Sequence, residues 1–320
     1  MNIPQYRYIM MRVLAILPPF LPVDTIRETV KHILPDIEVR TDTEFKSIQA
    51  EILILTTFTG IDDSLMDRIN GLRLIQVAST GYDNVDLKAA KKRGITICNI
   101  PTANKESVAE HVIAMVLSFL KEIRFMDSEI RAGRWPMLSG STELKGKIFG
   151  IIGMGAIGRR LAERLVPFEV EILYYDPRKL SEGEEMSLGI SYVPLEKLFE
   201  ESDIISIHVP LTENTRKIVS RDTLARMKDR TIIINTSRGE VIDEEALVEA
   251  SRKRGIRAGL DVFSREPPDF GADMFSMDNF LFSPHIAGVT MESQQRFITE
   301  TVSNVLRVVQ GLEPQFVVEE

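Results

Sequence analysis

The chain has 320 residues, of which 44% are hydrophobic and 27% charged, and its formal net charge is −8. This size and composition exclude a disordered protein and leave room for two globular domains of ordinary size. The negative charge argues against nucleic acid or an anionic membrane surface as a partner, and no apolar stretch is long enough to span a membrane. Cys98 is the only cysteine, so an internal disulfide framework is excluded and a cytoplasmic location is predicted.

The first hundred residues alternate short apolar runs with segments of helical periodicity. This alternation predicts a parallel sheet whose strands are joined by crossover helices. The predicted strands are residues 13–17, 38–40, 52–55, 74–78 and 95–98, and the predicted helices are residues 23–34, 62–69 and 86–93. These elements are sufficient for a small α/β domain on their own.

Residues 104–131 carry one continuous helical pattern. A helix of this length exceeds the usual globular range, and we expect it to be a spine between two domains. The segment 133–136 ends the pattern, and the irregular polar stretch that follows to Lys145 is expected to be an arm that makes dimer contacts. Trp135, the only tryptophan, is a candidate interface anchor, with ordinary core packing as an equal alternative.

A glycine-rich turn follows the next apolar run, residues 147–152. Gly153, Gly155 and Gly158 have the spacing G-x-G-x-x-G, and the amphipathic segment 159–165 continues as a helix. Gly153 allows a tight turn, and Gly155 lets the backbone approach a pyrophosphate. Gly158 lets the helix pack close to the sheet, so that its positive N-terminus faces the phosphates. Glycines with this spacing also occur in purely structural turns, but here strand, turn and helix together predict a dinucleotide site.

The second strand of this unit, residues 170–175, ends at Asp176, 18 residues after Gly158. A carboxylate at this position can accept hydrogen bonds from the adenosine ribose hydroxyls and repels a 2′-phosphate. Arg178 is close enough in sequence to meet a 2′-phosphate, but Asp176 occupies the discriminating position. The sequence therefore predicts NAD rather than NADP as the cofactor.

Four more strands are predicted at residues 204–209, 231–235, 257–260 and 280–283, which makes six strands in one doubly wound sheet. A last helix over residues 291–310 is expected to return to the first domain. The predicted fold class is α/β, with two Rossmann-like or flavodoxin-like parallel-sheet lobes and a cleft between them. The substrate-binding domain is predicted at residues 1–101 plus 290–320, and the NAD-binding Rossmann domain at residues 102–289.

Three ionisable residues follow the ends of predicted strands, where ligands bind in open parallel sheets. Hydride transfer to a 2-oxo acid needs a cation for the carboxylate and a group that moves a proton. Arg238 can be the cation, His285 can move the proton, and Glu266 can fix the tautomer of His285. Taken singly, they also suit a surface ion pair, a loop histidine and a solvated acid.

The four histidines of the sequence lack the spacing of metal ligands, so no metal site is predicted. His32 and His111 lie in helical segments and are predicted to be structural. His208 is predicted to be a structural neighbour of the cofactor.

The chain resembles the D-isomer-specific 2-hydroxyacid dehydrogenases over nearly its whole length. The most specific motifs are Asn235-Thr236-Ser237-Arg238-Gly239 and Ser283-Pro284-His285-Ile286-Ala287-Gly288. The resemblance also extends over residues 78–86, 106–111, 153–158, 208–212 and 259–267.

This resemblance implies a role for each matching residue. Arg238 would bind the substrate carboxylate and carbonyl, His285 would be the acid/base, and Glu266 would orient His285. A backbone cradle for the carboxylate would be formed by Ser79, Thr80 and Gly81, and Asp261 would face the nicotinamide carboxamide. The residues implied to line the cofactor are Thr80, Val108, Ala156, Ile157, Val209, Thr236, Ser237 and Gly288. Members of the family work as homodimers whose lobes close over the substrate.

The departures from related enzymes narrow the expected substrate. Glu266 stands where formate dehydrogenases of the superfamily carry glutamine, which disfavours formate. Residues 55–58 contain no cation of the kind that phosphoglycerate dehydrogenases use for the phosphate, and no C-terminal regulatory domain is expected. A small 2-oxo acid such as glyoxylate or hydroxypyruvate is therefore favoured. The alternatives are a D-3-phosphoglycerate dehydrogenase and an NAD-sensing binding protein built on the same scaffold.

Overall fold

The computed structural model describes residues 11–137 and 140–318. Contacts between Cα atoms divide the chain into two compact units. One unit is built from residues 1–104 and 290–320, and the other from residues 105–289. The chain therefore leaves the first unit once and returns to it.

The first unit contains a five-stranded parallel sheet in the order β2-β1-β4-β6-β7. Its elements are β1 (Val13–Ile16), α1 (Val23–Lys31), β2 (Glu38–Arg40), β3 (Ile48–Gln49), β4 (Ile52–Leu55), α2 (Asp63–Asp67), β5 (Ile69–Asn70), β6 (Leu74–Val77), α3 (Leu87–Lys92) and β7 (Thr96–Cys98). Every residue of β1, β4 and β6 is buried, which explains why these strands are apolar apart from Gln76 on β6. The five predicted strands are confirmed to within one residue at each end. The small pair β3 and β5 was not predicted, since two residues carry no periodic signal.

The second unit contains a seven-stranded parallel sheet in the order β10-β9-β8-β11-β12-β13-β14. Two helices, α4 (Lys105–Leu120) and α5 (Ile123–Arg131), precede it. The sheet and its helices are β8 (Ile148–Ile152), α6 (Ala156–Leu165), β9 (Glu171–Tyr175), α7 (Glu182–Leu188), β10 (Ile190–Tyr192), α8 (Leu195–Glu201), β11 (Ile204–Ile207), α9 (Arg221–Arg226), β12 (Ile232–Asn235), α10 (Glu244–Arg254), β13 (Arg257–Leu260) and β14 (Phe280–Phe282).

The strand order reverses between β8 and β11, which pair with each other. From β8 the chain runs outwards to β9 and β10, and from β11 it runs the other way to β14. Separate apolar clusters cover the two faces of the sheet, one with Phe149 and Tyr174 and the other with Phe199 and Phe280. The carboxyl ends of β8 and β11 thus form the switch point at which ligands bind in such sheets.

The prediction of six strands in this sheet was wrong by one edge strand. The three residues of β10 pair in parallel with β9, with Ile190 opposite Ile172. Only Ile190 of the three is buried, so the strand lacks the apolar run that identified the others.

The prediction of one helix over residues 104–131 was also wrong. The helix breaks between α4 and α5, where Glu122 adopts a left-handed backbone with φ of 50°. Thr142 N–H donates to the Leu120 carbonyl (2.8 Å), and Gly140 N–H donates to the Glu122 carboxylate (3.0 Å). A returning segment therefore replaces the bonds that a continuous helix would have made.

The last helix, α11 (Met291–Val309), packs on the sheet of the first unit through Val302 and Val305. The Asn304 amide of this helix donates to Gln76 Oε1 on β6 at 2.7 Å, and both side chains are buried. None of the described helices combines the length and the apolar character that a membrane span requires.

The edge strand β7 is covered by the end of the described chain. Cys98 forms an antiparallel bridge with Val317, and Val318 N–H donates to the Ile97 carbonyl at 2.9 Å. The Cys98 thiol is completely buried, and this burial raises its pKa to about 11.

Candidate active site

The glycine-rich turn lies between β8 and α6, at the switch point of the second sheet. Gly153 has φ of +95°, and a Cβ atom there would lie 2.4 Å from the His208 carbonyl oxygen. A Cβ atom on Gly158 would lie 2.2 Å from the Gly153 carbonyl oxygen. Both positions therefore require glycine because the backbone is crowded.

Gly155 differs from the other two glycines, because no protein atom lies within 4 Å of the place where its Cβ would be. It precedes the first residue of α6, so the N–H groups at the start of that helix open towards the same space. Ala156 and Ile157 supply the first turn of α6. This combination of free space and helix N-terminus fits the pyrophosphate of a dinucleotide.

Asp176 follows β9 and is bound to the glycine-rich turn. Its Oδ2 accepts a hydrogen bond from Met154 N–H and its Oδ1 accepts one from Arg178 N–H, both at 2.8 Å. Each carboxylate oxygen keeps a further lone pair, so the residue can still accept bonds from ribose hydroxyls. Arg178 is exposed.

His208 follows β11, directly across the switch point from the glycine-rich turn. Its Nε2 lies 2.9 Å from the Ser206 hydroxyl. Burial lowers the pKa of His208 to about 4, so the imidazole is neutral near pH 7. A neutral ring at this place acts as a structural and hydrogen-bonding group, not as a cation.

Arg238 is held at the end of β12 by the buried side chain of Asn235. The Asn235 amide donates to the Arg238 carbonyl (2.8 Å), and its Oδ1 accepts from the N–H and the hydroxyl of Ser237 at 3.0 and 2.8 Å. The Arg238 guanidinium donates to the Ser237 carbonyl at 2.7 Å. The turn is therefore fixed by a side chain that is only 1% exposed.

The next residue, Gly239, brings this turn against the segment that follows β13. A Cβ atom on Gly239 would lie 1.9 Å from the carbonyl carbon of Phe263. Any side chain would push the two segments apart, and Glu266 lies in the second of them.

His285 and Glu266 form the closest contact among the predicted catalytic residues. His285 Nδ1 lies 2.7 Å from Glu266 Oε2, and Glu266 Oε1 accepts from Phe263 N–H at 3.1 Å. Both side chains are partly exposed. Since Nδ1 is bonded to the carboxylate, Nε2 is the ring nitrogen available to a substrate.

The loop that carries His285 is wrapped around the carboxylate of Asp261, which is 1% exposed. Asp261 accepts hydrogen bonds from the Ser283 hydroxyl (2.5 Å) and from the N–H groups of Ile286 and Ala287, both at 2.9 Å. The His285 N–H donates to the Asp261 carbonyl at 2.7 Å. The contact of Asp261 with the nicotinamide carboxamide stays a prediction.

In the first unit, the predicted carboxylate cradle is a tight turn after β6. The Ser79 hydroxyl donates to the Gly81 carbonyl at 2.8 Å. The Thr80 hydroxyl is 3.0 Å from the Ile100 carbonyl and 2.9 Å from Asn104 Oδ1. The side chains of the turn thus bond within the unit, which leaves its backbone N–H groups as the candidate ligands.

The remaining predicted cofactor residues lie at strand and helix ends of the second unit. Val108 on α4 and Val209 after β11 are buried, and the Thr236 hydroxyl is buried without a partner among the described residues. Gly288 follows the His285 loop and is partly buried. Their contacts with a cofactor stay predictions.

Sequence reasoning missed three residues of this site. Asn235 and Ser283 were read only as parts of motifs, and His111 was assigned to the structural background. In the structure, His111 Nε2 lies 2.9 Å from the Ser283 hydroxyl. The two residues are 172 positions apart, so no local pattern could have joined them.

Comparison with known proteins places these features in a family context. Residues 113–287 match the family described as "D-isomer specific 2-hydroxyacid dehydrogenase, NAD binding domain". The chain is 39% identical to a hydroxypyruvate reductase of Thermotoga maritima, over 81% of this chain and 85% of that protein. It is 37% identical to a glyoxylate reductase of Korarchaeum cryptofilum, over 83% of this chain and 81% of that protein.

A solved structure of a D-lactate dehydrogenase has a similar fold. The D-lactate dehydrogenase of Aquifex aeolicus, complexed with NAD and lactic acid, superposes with a TM-score of 0.84. The two sequences are 30% identical, and the match covers 94% of this chain and 96% of that one.

Proposed function

This chain belongs to the D-isomer-specific 2-hydroxyacid dehydrogenases, and from that premise we propose that it reduces a small 2-oxo acid to the D-2-hydroxy acid. Membership makes it an NAD(H)-dependent oxidoreductase that acts on CH–OH donors. Glyoxylate and hydroxypyruvate are the proposed substrates, supported by the similarity to a hydroxypyruvate reductase and a glyoxylate reductase.

The observation that carries the proposal is the 2.7 Å contact between Glu266 and His285, on segments that follow neighbouring strands. Glu266 holds Nδ1, so the protonated ring donates from Nε2 to the carbonyl oxygen of the substrate. Arg238, a permanent cation after the adjacent strand β12, binds the carboxylate and stabilises the negative charge that develops on the oxygen. The turn at Ser79, Thr80 and Gly81 is proposed to bind the same carboxylate through its N–H groups.

The glycine-rich turn, the start of α6 and Asp176 are the residues proposed to hold NAD(H). When bound, the cofactor supplies or accepts the hydride. Asp176 excludes a 2′-phosphate by its charge, so NADH is proposed to be used in preference to NADPH. The roles of the domains follow, with residues 1–101 plus 290–320 proposed as substrate-binding and residues 102–289 as NAD-binding.

We also propose that the enzyme is a homodimer. Helix α5 has no buried residue, and Ile123, Phe125 and Ile130 on it are about half exposed. Trp135 and Met137 beyond the helix are 78% and 81% exposed, so packing of Trp135 in the core of its own chain is wrong. These apolar side chains suit contact with a second copy. A cytoplasmic location is proposed because the one cysteine is a free thiol.

The function is tested by measuring the absorbance of NADH while the enzyme acts on a panel of 2-oxo acids. The panel compares glyoxylate, hydroxypyruvate, pyruvate, phenylpyruvate and 3-phosphohydroxypyruvate, and is repeated with NADPH. The highest kcat/KM is expected with glyoxylate or hydroxypyruvate and NADH, with a D-configured product from hydroxypyruvate. A preference for 3-phosphohydroxypyruvate would instead favour a phosphoglycerate dehydrogenase.

The catalytic assignment is tested with His285→Ala and, as a control, His32→Ala on the exposed end of α1. His285→Ala is expected to lower kcat by about 10²- to 10⁴-fold without changing the Kd of NADH, because only proton transfer is removed. His32→Ala should behave as wild type. Negligible turnover of every 2-oxo acid by the wild type, with NADH still bound, would favour an NAD-sensing binding protein.

A further inference from the structure

A chain of hydrogen bonds runs from helix α4 to the loop that carries His285. His111 Nε2 on α4 lies 2.9 Å from Ser283 Oγ, and Ser283 Oγ lies 2.5 Å from Asp261 Oδ1. The His111 ring is 4.0 Å from the same carboxylate oxygen, so it reaches Asp261 through the serine hydroxyl. The His111 side chain is 24% exposed, whereas Asp261 is 1% exposed.

The direction of these bonds follows from the number of protons available. The Asp261 carboxylate oxygens already accept from two backbone N–H groups, those of Ile286 and Ala287. The single hydroxyl proton of Ser283 is then donated to Asp261. Ser283 can only accept from His111, which must carry a proton on Nε2.

The loop that these hydrogen bonds hold keeps His285 in an unfavourable backbone conformation. His285 has φ of 54°, in the left-handed region that a residue with a Cβ atom rarely adopts. The bonds from Ser283, Ile286 and Ala287 to one carboxylate, and from His285 N–H to the Asp261 carbonyl, are what keep the loop there. A looser Ser283 or Asp261 would let the imidazole leave its place beside Glu266.

We propose that His111 is a positioning residue for His285, acting through the Ser283 hydroxyl on the Asp261 carboxylate. This rests on the proposed role of His285 as the proton donor. His111 fixes the rotamer of Ser283, which leaves the hydroxyl proton aimed at Asp261. A histidine with 24% of its side chain exposed could satisfy its nitrogens with water, so solvation alone does not require the bond to Ser283.

The test is a double-mutant cycle with His111→Leu and Ser283→Ala, together with the conservative variant His111→Gln. Gln can place an N–H donor near the position of Nε2, whereas Leu cannot. His111→Leu is expected to lower kcat for the best 2-oxo acid about tenfold, the scale of one lost hydrogen bond to a charged network. The KM and the Kd of NADH should change little, and His111→Gln should restore most of the rate.

The double variant separates positioning from general packing. If His111 acts through Ser283, then His111→Leu has no further effect on kcat in the Ser283→Ala background. Additive effects, an unchanged kcat in His111→Leu, or a His111→Gln variant no better than His111→Leu would each overturn the proposal. The matched control is His32→Leu, which changes an exposed histidine of the other unit.

A measurement that does not depend on turnover keeps this proposal separate from the proposed function. Amide hydrogen exchange of the peptide covering residues 283–289 is expected to be faster in His111→Leu and near wild type in His111→Gln. Unchanged exchange in His111→Leu would overturn the proposal even if the enzyme is active. Failure of the proposed function would appear differently, as a wild-type protein without activity on any 2-oxo acid.

Discussion

Two buried polar side chains, Asn235 and Asp261, organise the segments that carry Arg238 and His285. Each is 1% exposed and lies at or just beyond the end of a strand, where the sheet fixes its backbone. Buried polar groups are costly unless they are paired, and these two are paired with the loops beside them. The side chains of Arg238 and His285 can therefore remain partly exposed while the backbone beneath them is held.

The importance of the Glu266 charge can be tested with Glu266→Gln. The amide keeps a similar shape but cannot stabilise a positively charged His285, so kcat/KM is expected to fall about 10- to 100-fold. The Kd of NADH and the melting temperature should stay close to wild type, because the Glu266 side chain is 38% exposed. Steady-state kinetics of Glu245→Gln, an exposed carboxylate on α10, provide the control.

His208 predicts how stability depends on pH. Its pKa of about 4 is below the value of about 6.5 for an exposed histidine. Between these values the unfolded chain binds a proton that the folded chain does not. The stabilising contribution is therefore complete above about pH 6.5 and is lost as the pH falls towards about 4.

Urea unfolding of wild type and His208→Gln at about pH 7 and about pH 5 measures this contribution. The wild type is expected to lose more free energy of unfolding between the two values than the variant. The same loss in both proteins would show that His208 does not titrate as described.

The sequence marks Arg238, Glu266 and His285 as candidate site residues because each follows a recognisable strand within a specific motif. The bonds that hold the His285 loop could not be predicted, because the residues that make them belong to distant parts of the chain. His111, the partner of Ser283, lies on α4. The two carboxylate oxygens of Asp261 accept hydrogen bonds from residues 22 to 26 positions away. Sequence periodicity carries no information about such pairings.

At the scale of elements, prediction succeeded where a strand is buried on both faces and failed where an element depends on a neighbour. The four residues of β11 and of β12 are all buried, and their apolar sequences predicted them directly. The edge strand β10 and the break at Glu122 have no such signal. The break depends on bonds from Gly140 and Thr142, which follow the helix in the chain.

The glycine-rich turn offers a matched pair of variants. Gly153→Ala places a Cβ atom 2.4 Å from the His208 carbonyl oxygen, and is expected to lower the free energy of unfolding by about 1–3 kcal/mol. Gly155→Ala meets no protein atom within 4 Å and has ordinary φ and ψ, so the fold should tolerate it.

For NADH binding we expect the opposite order, with Gly155→Ala more harmful than Gly153→Ala. Gly155→Ala puts a methyl group in the space proposed for the pyrophosphate, and the Kd of NADH is expected to rise at least about tenfold. Fluorescence titration and urea unfolding of both variants check the pair. An unchanged Kd in Gly155→Ala would place the pyrophosphate elsewhere.

At the scale of the whole molecule, the chain forms two units and the first is closed by a segment from the far end of the sequence. The buried pair of Asn304 and Gln76 joins α11 to β6 across 228 positions. The return of the last helix was predicted from its place after the second sheet, whereas this polar pair was not. The functions assigned to the two domains remain proposals.

The proposed dimer predicts a change of mass in solution. Ile130→Glu and Trp135→Glu each put a charge on the exposed apolar surface of α5 and the segment after it. Burying an unpaired carboxylate in an interface is costly, so both variants are expected to sediment as monomers. Met186→Glu, at a residue that is 81% exposed on α7, is the control and should keep the wild-type mass. Wild-type mass in all three proteins would contradict an interface at this surface.

The single cysteine gives the first unit a natural probe of local opening. The Cys98 thiol is buried in the apolar cluster that contains Val302 and Val305 of α11, and its pKa of about 11 leaves almost no thiolate near neutral pH. A thiol-reactive dye can therefore label the protein only after the packing of α11 on this sheet has opened. Because the sequence has no other cysteine, the rate of labelling reports how often this cluster opens, without any engineered probe.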